Sequence, residues 1–332
     1  MDQKRKKMLL TGVLVLLALS AAFVLLLRDQ GEEILSALRG LTWTGELCLL
    51  LMSGAYQLAE SFICRTIVRT RIPDFPLFSA WKTVHLKVFG DVASFGTASL
   101  PLQMYFLHQN GLPAGAAMGQ MTLEYIFHKG SILLYATVML CAQWPWLMET
   151  ARSVTVYLLP AYGICALIIA SLVLVCVWPG LQRGALWLIR RLPESGKWPQ
   201  RKAKLQEQIF FLREASRELF QNGPCCAKVL LLNGVKLFIL FSTPWVCMTL
   251  LGMTAPSFAQ TQMLSALMLL ITSALPNVAG LGPTEFAFLL LFSPCVGSAQ
   301  AALALVLYRV VTYYVPFLAS MYAFCTIQRK SM

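Results

Sequence analysis

The chain has 332 residues, of which 58% are hydrophobic and 13% charged, with a formal net charge of +12. A soluble domain carries roughly twice that charged fraction, so the composition excludes an ordinary soluble protein and indicates a polytopic membrane protein. The basic excess indicates membrane topology rather than nucleic-acid binding, because lysine and arginine accumulate in cytoplasmic loops. Attraction of these loops to anionic lipid headgroups is an expected secondary effect.

Eight apolar segments follow one another along the sequence. The first follows a basic N-terminus, is about long enough to span a bilayer and is followed by no small-residue cleavage site. We therefore expect a retained helix with a cytoplasmic N-terminus. The segments lie approximately at residues 8–27, 41–64, 80–107, 115–142, 153–178, 225–251, 262–294 and 300–326.

The positions of the basic clusters predict the topology. The four clusters, and with them both chain termini, are expected in the cytoplasm, which requires one apolar segment in each half of the chain to enter and leave the membrane on the same side. These two segments are 80–107, which is interrupted by glycine and proline, and 262–294. The clusters are residues 4–7, 65–71, 183–217 and 329–330.

This count predicts a single all-α integral membrane domain over residues 1–332. It has about six spanning helices and two oppositely oriented re-entrant hairpins, as in inverted-repeat transporters with a binding site near the midplane. The halves are residues 8–178 and 225–326. Between them, the basic loop 181–223 is expected in the cytoplasm, with an amphipathic helix over 204–220 on the membrane surface.

Residues 275–286 combine two prolines, two glycines, an asparagine and an acid within an apolar region. Proline and glycine interrupt helices, Glu285 is costly in hydrocarbon, and irregular backbone at membrane depth survives only against protein or a water-filled cavity. The pattern predicts a re-entrant turn that lines a polar site. Thr284 is expected to cap a helix starting near Glu285, and the helix N-terminus favours a phosphate. The alternative is that Glu285 only fixes the hairpin by hydrogen bonds.

Gln120, Glu124 and His128 recur every four residues on one face of segment 115–142. Two ligands are too few for a metal site. These side chains are expected either to line the cavity or to form a buried hydrogen-bonded pair, with Lys129 close enough to serve a phosphate or an acid.

Other polar residues in apolar segments need partners. Lys87 and Asp91 are four residues apart, and a mutual ion pair is the favoured interpretation. Arg309 lies within a span and must find a partner, for which Glu285 and Glu124 are the candidates. Glu60 is expected at the membrane interface.

The sequence contains no nucleophile elbow, zinc-protease motif or phosphate-binding loop, so we expect no catalysis and no cofactor or metal. Its ten cysteines are scattered, mostly through apolar runs, without metal-ligand spacing. We interpret these cysteines as buried thiols that act as small hydrophobic side chains.

The segment Pro276–Phe288, PNVAGLGPTEFAF, resembles the late motif of the lysylphosphatidylglycerol synthase transmembrane-region family. That motif reads as a proline, a few residues, Gly-Gly-Leu-Gly and then a glutamate; Ala279 replaces the first glycine. Residues 96–111 and the following 122–125 resemble the family's first re-entrant region and its Glu-Arg helix. Gln103 and Tyr125 stand where family members usually carry arginine.

The resemblance implies transport of lipids across the bilayer. It implies a substrate site for an anionic or phosphate-bearing headgroup. Since no aminoacyl-transfer domain is seen, the chain is not expected to make the lipid. The residues expected in the site are Glu285, Thr284, Gly280, Gly282, Asn277, Glu124, His128, Gln103, Lys87 and Arg309.

The resulting hypothesis is a flippase or scramblase of the bacterial inner membrane, acting on a phospholipid or polyprenyl-linked lipid. Its partners would be membrane lipids, with a lipid-biosynthesis enzyme as a further candidate and no nucleic acid. The alternatives are an ion-coupled small-solute transporter, an integral-membrane transferase acting on a lipid-linked donor, and an accessory subunit of lipid biosynthesis.

Overall fold

The computed structural model describes residues 39–94, 98–150, 152–191, 198–274 and 282–330. Every regular element in these ranges is helical, which confirms the all-α prediction. The helix predicted over residues 8–27 lies outside the described residues.

We number the α-helices in chain order within the described ranges. They are α1 Trp43–Val68, α2 Leu77–Ala93, α3 Ser99–Gln109, α4 Ala114–Ala142, α5 Trp144–Thr150, α6 Arg152–Val177, α7 Pro179–Arg190, α8 Trp198–Gln221, α9 Gly223–Leu250, α10 Phe258–Ala274, α11 Pro283–Val296, α12 Ser298–Arg309 and α13 Val315–Lys330. A π-helix, Val310–Tyr314, joins α12 to α13.

Within the described ranges, four helical stretches are long and apolar enough to cross a membrane. They are α1, α4, α9 and the continuous stretch Ser298–Thr326 that includes the π-helix. Two of these spans start at side-chain caps: Thr42 accepts from the Gly45 N–H before α1, and Asn222 accepts from the Cys225 N–H before α9. Such caps satisfy backbone donors that the first turn leaves without partners. The prediction of a multi-pass membrane protein is confirmed.

Both segments predicted to form hairpins are interrupted helices. Segment 80–107 is divided between α2 and α3, and segment 262–294 between α10 and α11. The two helices of each pair pack against each other. The interruptions therefore fall where glycine and proline are concentrated in the sequence.

The core is built around long helix pairs. Helix α1 packs along α9, and α4 contacts α3, α8 and α10. Helix α2 packs against α13 through stacked rings: the Phe89 ring centroid lies 4.2 Å from that of Phe324 and 6.4 Å from that of Phe317. This packing places the polar faces of α1, α2, α4 and α9 toward one another.

The amphipathic helix predicted over 204–220 lies within α8, and part of its apolar face is covered by protein, whereas Leu205 and Phe220 are exposed. Ala215 and Leu219 are buried in a cluster with Ile63 of α1 and Leu123 of α4. The helices approach so closely that a Cβ atom added at Gly119 would lie 2.5 Å from the carbonyl oxygen of Phe211. Helix α8 is thus docked on the ends of the spans, and Phe210 on its other face is exposed.

Candidate functional site

Three charged side chains from different helices meet inside the bundle. The Glu60 carboxylate on α1 accepts one lysine on each oxygen: Lys87 Nζ of α2 lies 3.3 Å from Oε1, and Lys236 Nζ of α9 lies 3.4 Å from Oε2. Glu60 and Lys236 are buried, whereas the Lys87 side chain is 34% exposed. A buried charge requires a counter-charge, so this triad ties three helices together.

Two expectations about this region are wrong. Glu60 was predicted at the interface but is 6% exposed inside the bundle, because two lysines compensate its charge. Lys87 pairs with Glu60 rather than with Asp91, because α2 packs directly on α1. Lys236 was missed altogether, although a single lysine in the middle of a long apolar helix was the signal for an intramembrane partner.

A cavity of about 270 Å³ opens beside the triad. The Glu60–Lys87 pair forms one wall, and α3 and α4 form the others. The further lining residues are Ser99, Leu100, Gln103, Met121, Thr122, Glu124, Tyr125 and His128. Four residues predicted for the site, Lys87, Gln103, Glu124 and His128, are therefore brought together here.

Glu124 and His128 carry polar atoms that the protein leaves unsatisfied. Glu124 is 6% exposed, yet its Oε2 has no hydrogen-bond partner within the described part of the chain, and the same holds for His128 Nδ1. Such atoms are costly to bury unless water or a ligand satisfies them. Of the two alternatives predicted for these residues, the structure places them on the cavity wall. Gln120, on the same helix, donates to Thr70 at 3.0 Å and does not line the cavity, although its Oε1 also lacks a partner among the described residues.

Gln103 and Tyr125, which stand where the resembled family usually carries arginine, also line the cavity. The Gln103 amide donates to the Thr83 carbonyl at 3.3 Å, and Tyr125 is 49% exposed. Lys129 donates to Ser273 of α10 at 2.7 Å and lies 5.3 Å from the Tyr125 ring centroid. Lys129 thus contacts α10 and the Tyr125 ring, and Lys87 is the cation that reaches the cavity.

Glu285 and Arg309 form a separate, closed ion pair. Arg309 Nε and Nη2 each lie 2.6 Å from Glu285 Oε1, and Glu285 Oε2 accepts from the Gly282 N–H. Both side chains are buried, and neither lines the cavity. The predicted pairing of Arg309 with Glu285 is confirmed, and the hydrogen bonds predicted as the alternative role of Glu285 are present.

The start of α11 differs from the expected cap. Gly282, at φ +97°, is the residue before the helix, and Thr284 is already inside it. Glu285 reaches back to the Gly282 N–H, as a glutamate in the third helical position does in a capping box. Asn277 and Gly280 lie outside the described residues.

The chemistry of the cavity is that of a polar binding site. Its charged groups include the Glu60 carboxylate, which is shared by two lysines, and the Glu124 carboxylate, whose Oε2 has no hydrogen-bond partner among the described residues. In the described ranges, no group of three or more histidine, cysteine, aspartate or glutamate side chains is placed to hold a metal ion. The site offers a cation together with hydrogen-bond acceptors, which suits a ligand with an anionic group and donors.

The fold and cavity define the class as a multi-pass helical membrane protein with an internal polar site. The family model for the lysylphosphatidylglycerol synthase TM region matches residues 10–320, and the chain belongs to this family. This match confirms the resemblance seen in the late motif. A search of curated proteins found no match.

Proposed function

We infer that the protein moves the headgroup of a phospholipid or polyprenyl-linked lipid across the bacterial inner membrane through the cavity beside Glu60. Membership of a family named for a phospholipid synthase relates the chain to membrane phospholipids. The observation that carries the proposal is the buried Glu124 Oε2, which has no hydrogen-bond partner among the described residues, on the wall of a cavity that Lys87 also lines.

The residues have distinct roles in this proposal. Lys87, one third exposed, approaches the lipid phosphate, while Lys236 keeps the Glu60 charge compensated from behind. Glu124 and His128 bind hydroxyl or amine donors of the headgroup. The acyl chains stay in the membrane, on the side of the exposed Tyr125.

The helix pairs α2–α3 and α10–α11 act as two oppositely oriented re-entrant hairpins of an inverted repeat, with both termini in the cytoplasm. The interrupted helices and the basic clusters support this arrangement. The lipid crosses without covalent change, and an ion gradient or its own gradient drives the movement.

Translocation in proteoliposomes tests the proposal. Purified full-length protein is reconstituted with headgroup-labelled phosphatidylglycerol, phosphatidylethanolamine or a polyprenyl phosphate, and the accessible label is followed with time. We expect Glu124→Gln to slow movement at least tenfold, since a neutral amide cannot accept from a headgroup donor as a carboxylate does. Glu46→Gln makes the same chemical change at an exposed position of α1 and should leave the rate unchanged.

Other results would favour other functions. No movement of any lipid by correctly folded protein, combined with uptake of a small solute, would replace lipid transport by solute transport. A lipid recovered with altered mass would indicate a transferase. Equal rates for Glu124→Gln and Glu46→Gln would remove the cavity from the mechanism.

A further inference from the structure

A second polar pocket, of about 380 Å³, lies where the end of α1 meets the start of α9. Arg65, Arg69 and Lys228 line it, and its described lining includes no acidic side chain. The pocket is separate from the cavity beside Glu60, with which it shares no lining residue.

Within the described ranges, the cations of this pocket are not paired with an acidic side chain. Among the described residues, no carboxylate forms an ion pair with any of its three cations, whereas nearby Arg71 pairs with Glu214 and Glu218. Arg65 Nε donates to the Phe75 carbonyl at 3.1 Å, and Arg69 Nε donates to the Pro73 carbonyl. Each bond uses one of five guanidinium donors and fixes the group against the backbone.

Three cations around one concavity repel each other, so an anion that enters lowers the electrostatic energy of all three. Guanidinium groups match phosphate oxygens in geometry, and lysine adds a point charge. Asn222 already caps α9 by accepting from Cys225, so the site depends on the side-chain cations rather than on the helix end.

We propose that this pocket binds a phosphate group, supplied by the headgroup of an anionic phospholipid in the adjacent leaflet. The pocket lies between the ends of two apolar spans, where we expect headgroups to meet the protein. Basic pockets in that position bind anionic headgroups. Phe62 and Pro224 give it an apolar side for the glycerol and upper acyl chains. Binding here is independent of the proposed transport.

Native mass spectrometry of the full chain, titrated with phosphatidylglycerol or phosphatidylcholine, tests the proposal. The pocket variant is Arg69→Gln/Lys228→Gln. The matched control is Arg213→Gln/Arg217→Gln, which removes two exposed charges of α8 outside the pocket. We expect phosphatidylglycerol affinity to fall roughly 25-fold in the pocket variant, at about fivefold per cation, and less than twofold in the control.

The single variant Lys228→Gln controls for a folding defect, since Lys228 has no hydrogen bond or ion pair to other described residues. Its affinity for phosphatidylglycerol should fall about fivefold. Lipid bound in the cavity beside Glu60 should contribute equally to the mass spectra of all variants. If millimolar inorganic phosphate displaces phosphatidylglycerol, the site is assigned to a soluble phosphate. If phosphate does not displace it, the site is assigned to the lipid. Equal binding of phosphatidylcholine, or equal losses in pocket and control variants, would overturn the proposal. Absence of lipid transport has no bearing on this result.

Discussion

Two buried clusters of acidic and basic side chains among the described residues differ in how many partners each carboxylate has. Glu285 has one arginine and one backbone N–H, and both of its oxygens are satisfied. Glu60 has two lysines, and the neighbouring carboxylate of Glu124 has an oxygen without a hydrogen-bond partner in the described part of the chain. The first cluster is complete without a ligand, whereas the second is not. Burial of a charge therefore does not by itself indicate a ligand site in this fold, and we expect transport to depend on the cluster beside the cavity rather than on the Glu285–Arg309 pair.

Breaking the closed pair should give the largest loss of stability. Arg309→Gln leaves the Glu285 carboxylate buried without a counter-charge, which costs about 3–5 kcal/mol. Thermal unfolding in detergent should show a strongly lowered midpoint, and Arg309→Gln/Glu285→Gln should recover most of it. A single variant as stable as the original protein would mean that the pair contributes nothing to the fold.

Breaking the triad should cost somewhat less. Glu60→Gln strands the buried Lys236, but Lys87 is one third exposed and can turn into the cavity. We expect a loss of about 3 kcal/mol, measured by the same unfolding assay. Adding Lys236→Met to Glu60→Gln should restore stability. If the double variant is no more stable than Glu60→Gln, the loss of stability does not come from the unpaired charge of Lys236.

Glu124→Gln should separate stability from function. No described hydrogen bond is lost from its Oε2, so the free energy of unfolding should change by no more than about 1 kcal/mol. Transport, measured on the same preparation, should still fall at least tenfold. A destabilisation as large as that of Glu60→Gln would contradict the proposal that the Glu124 carboxylate serves to bind a ligand.

The smallest effect is expected at the surface. Arg71 lies 2.6 Å from Glu218 and 3.2 Å from Glu214, and the hydrogen bond to Glu218 raises the pKa of its guanidinium. Both acids are more than one third exposed, so Arg71→Gln should cost only about 0.5–1 kcal/mol. The difference should shrink in 1 M salt, where screening is stronger. A salt-independent difference would point to packing instead.

Much of the fold follows from local sequence, because apolar length and helix breakers act over a few residues. Among the described residues, the four candidate spans and the helix ends at Ala93, Ser99, Ala274 and Pro283 lie where hydropathy, glycine and proline predict them. The pairing of Arg309 was also predictable, since an arginine in a span has few candidate partners.

The site was only half predictable, because its residues come from helices far apart in sequence. Glu124 and His128 share one helix face, so their common location was visible in the spacing. That Glu60, Lys87 and Lys236 meet depends on how α1, α2 and α9 pack, which no local pattern specifies. The role of Glu285 likewise depended on whether its oxygens were already occupied.

The close contact between α4 and α8 has a consequence for biogenesis. Gly119 is buried beneath the backbone of Phe211, yet α8 is synthesised well after α4. At 5–20 residues per second, roughly five to twenty seconds separate the two segments. During that interval no helix covers the glycine face of α4. The helices around the cavity that are inserted early therefore reach their final packing only after α8, in the basic loop 181–223, has left the ribosome.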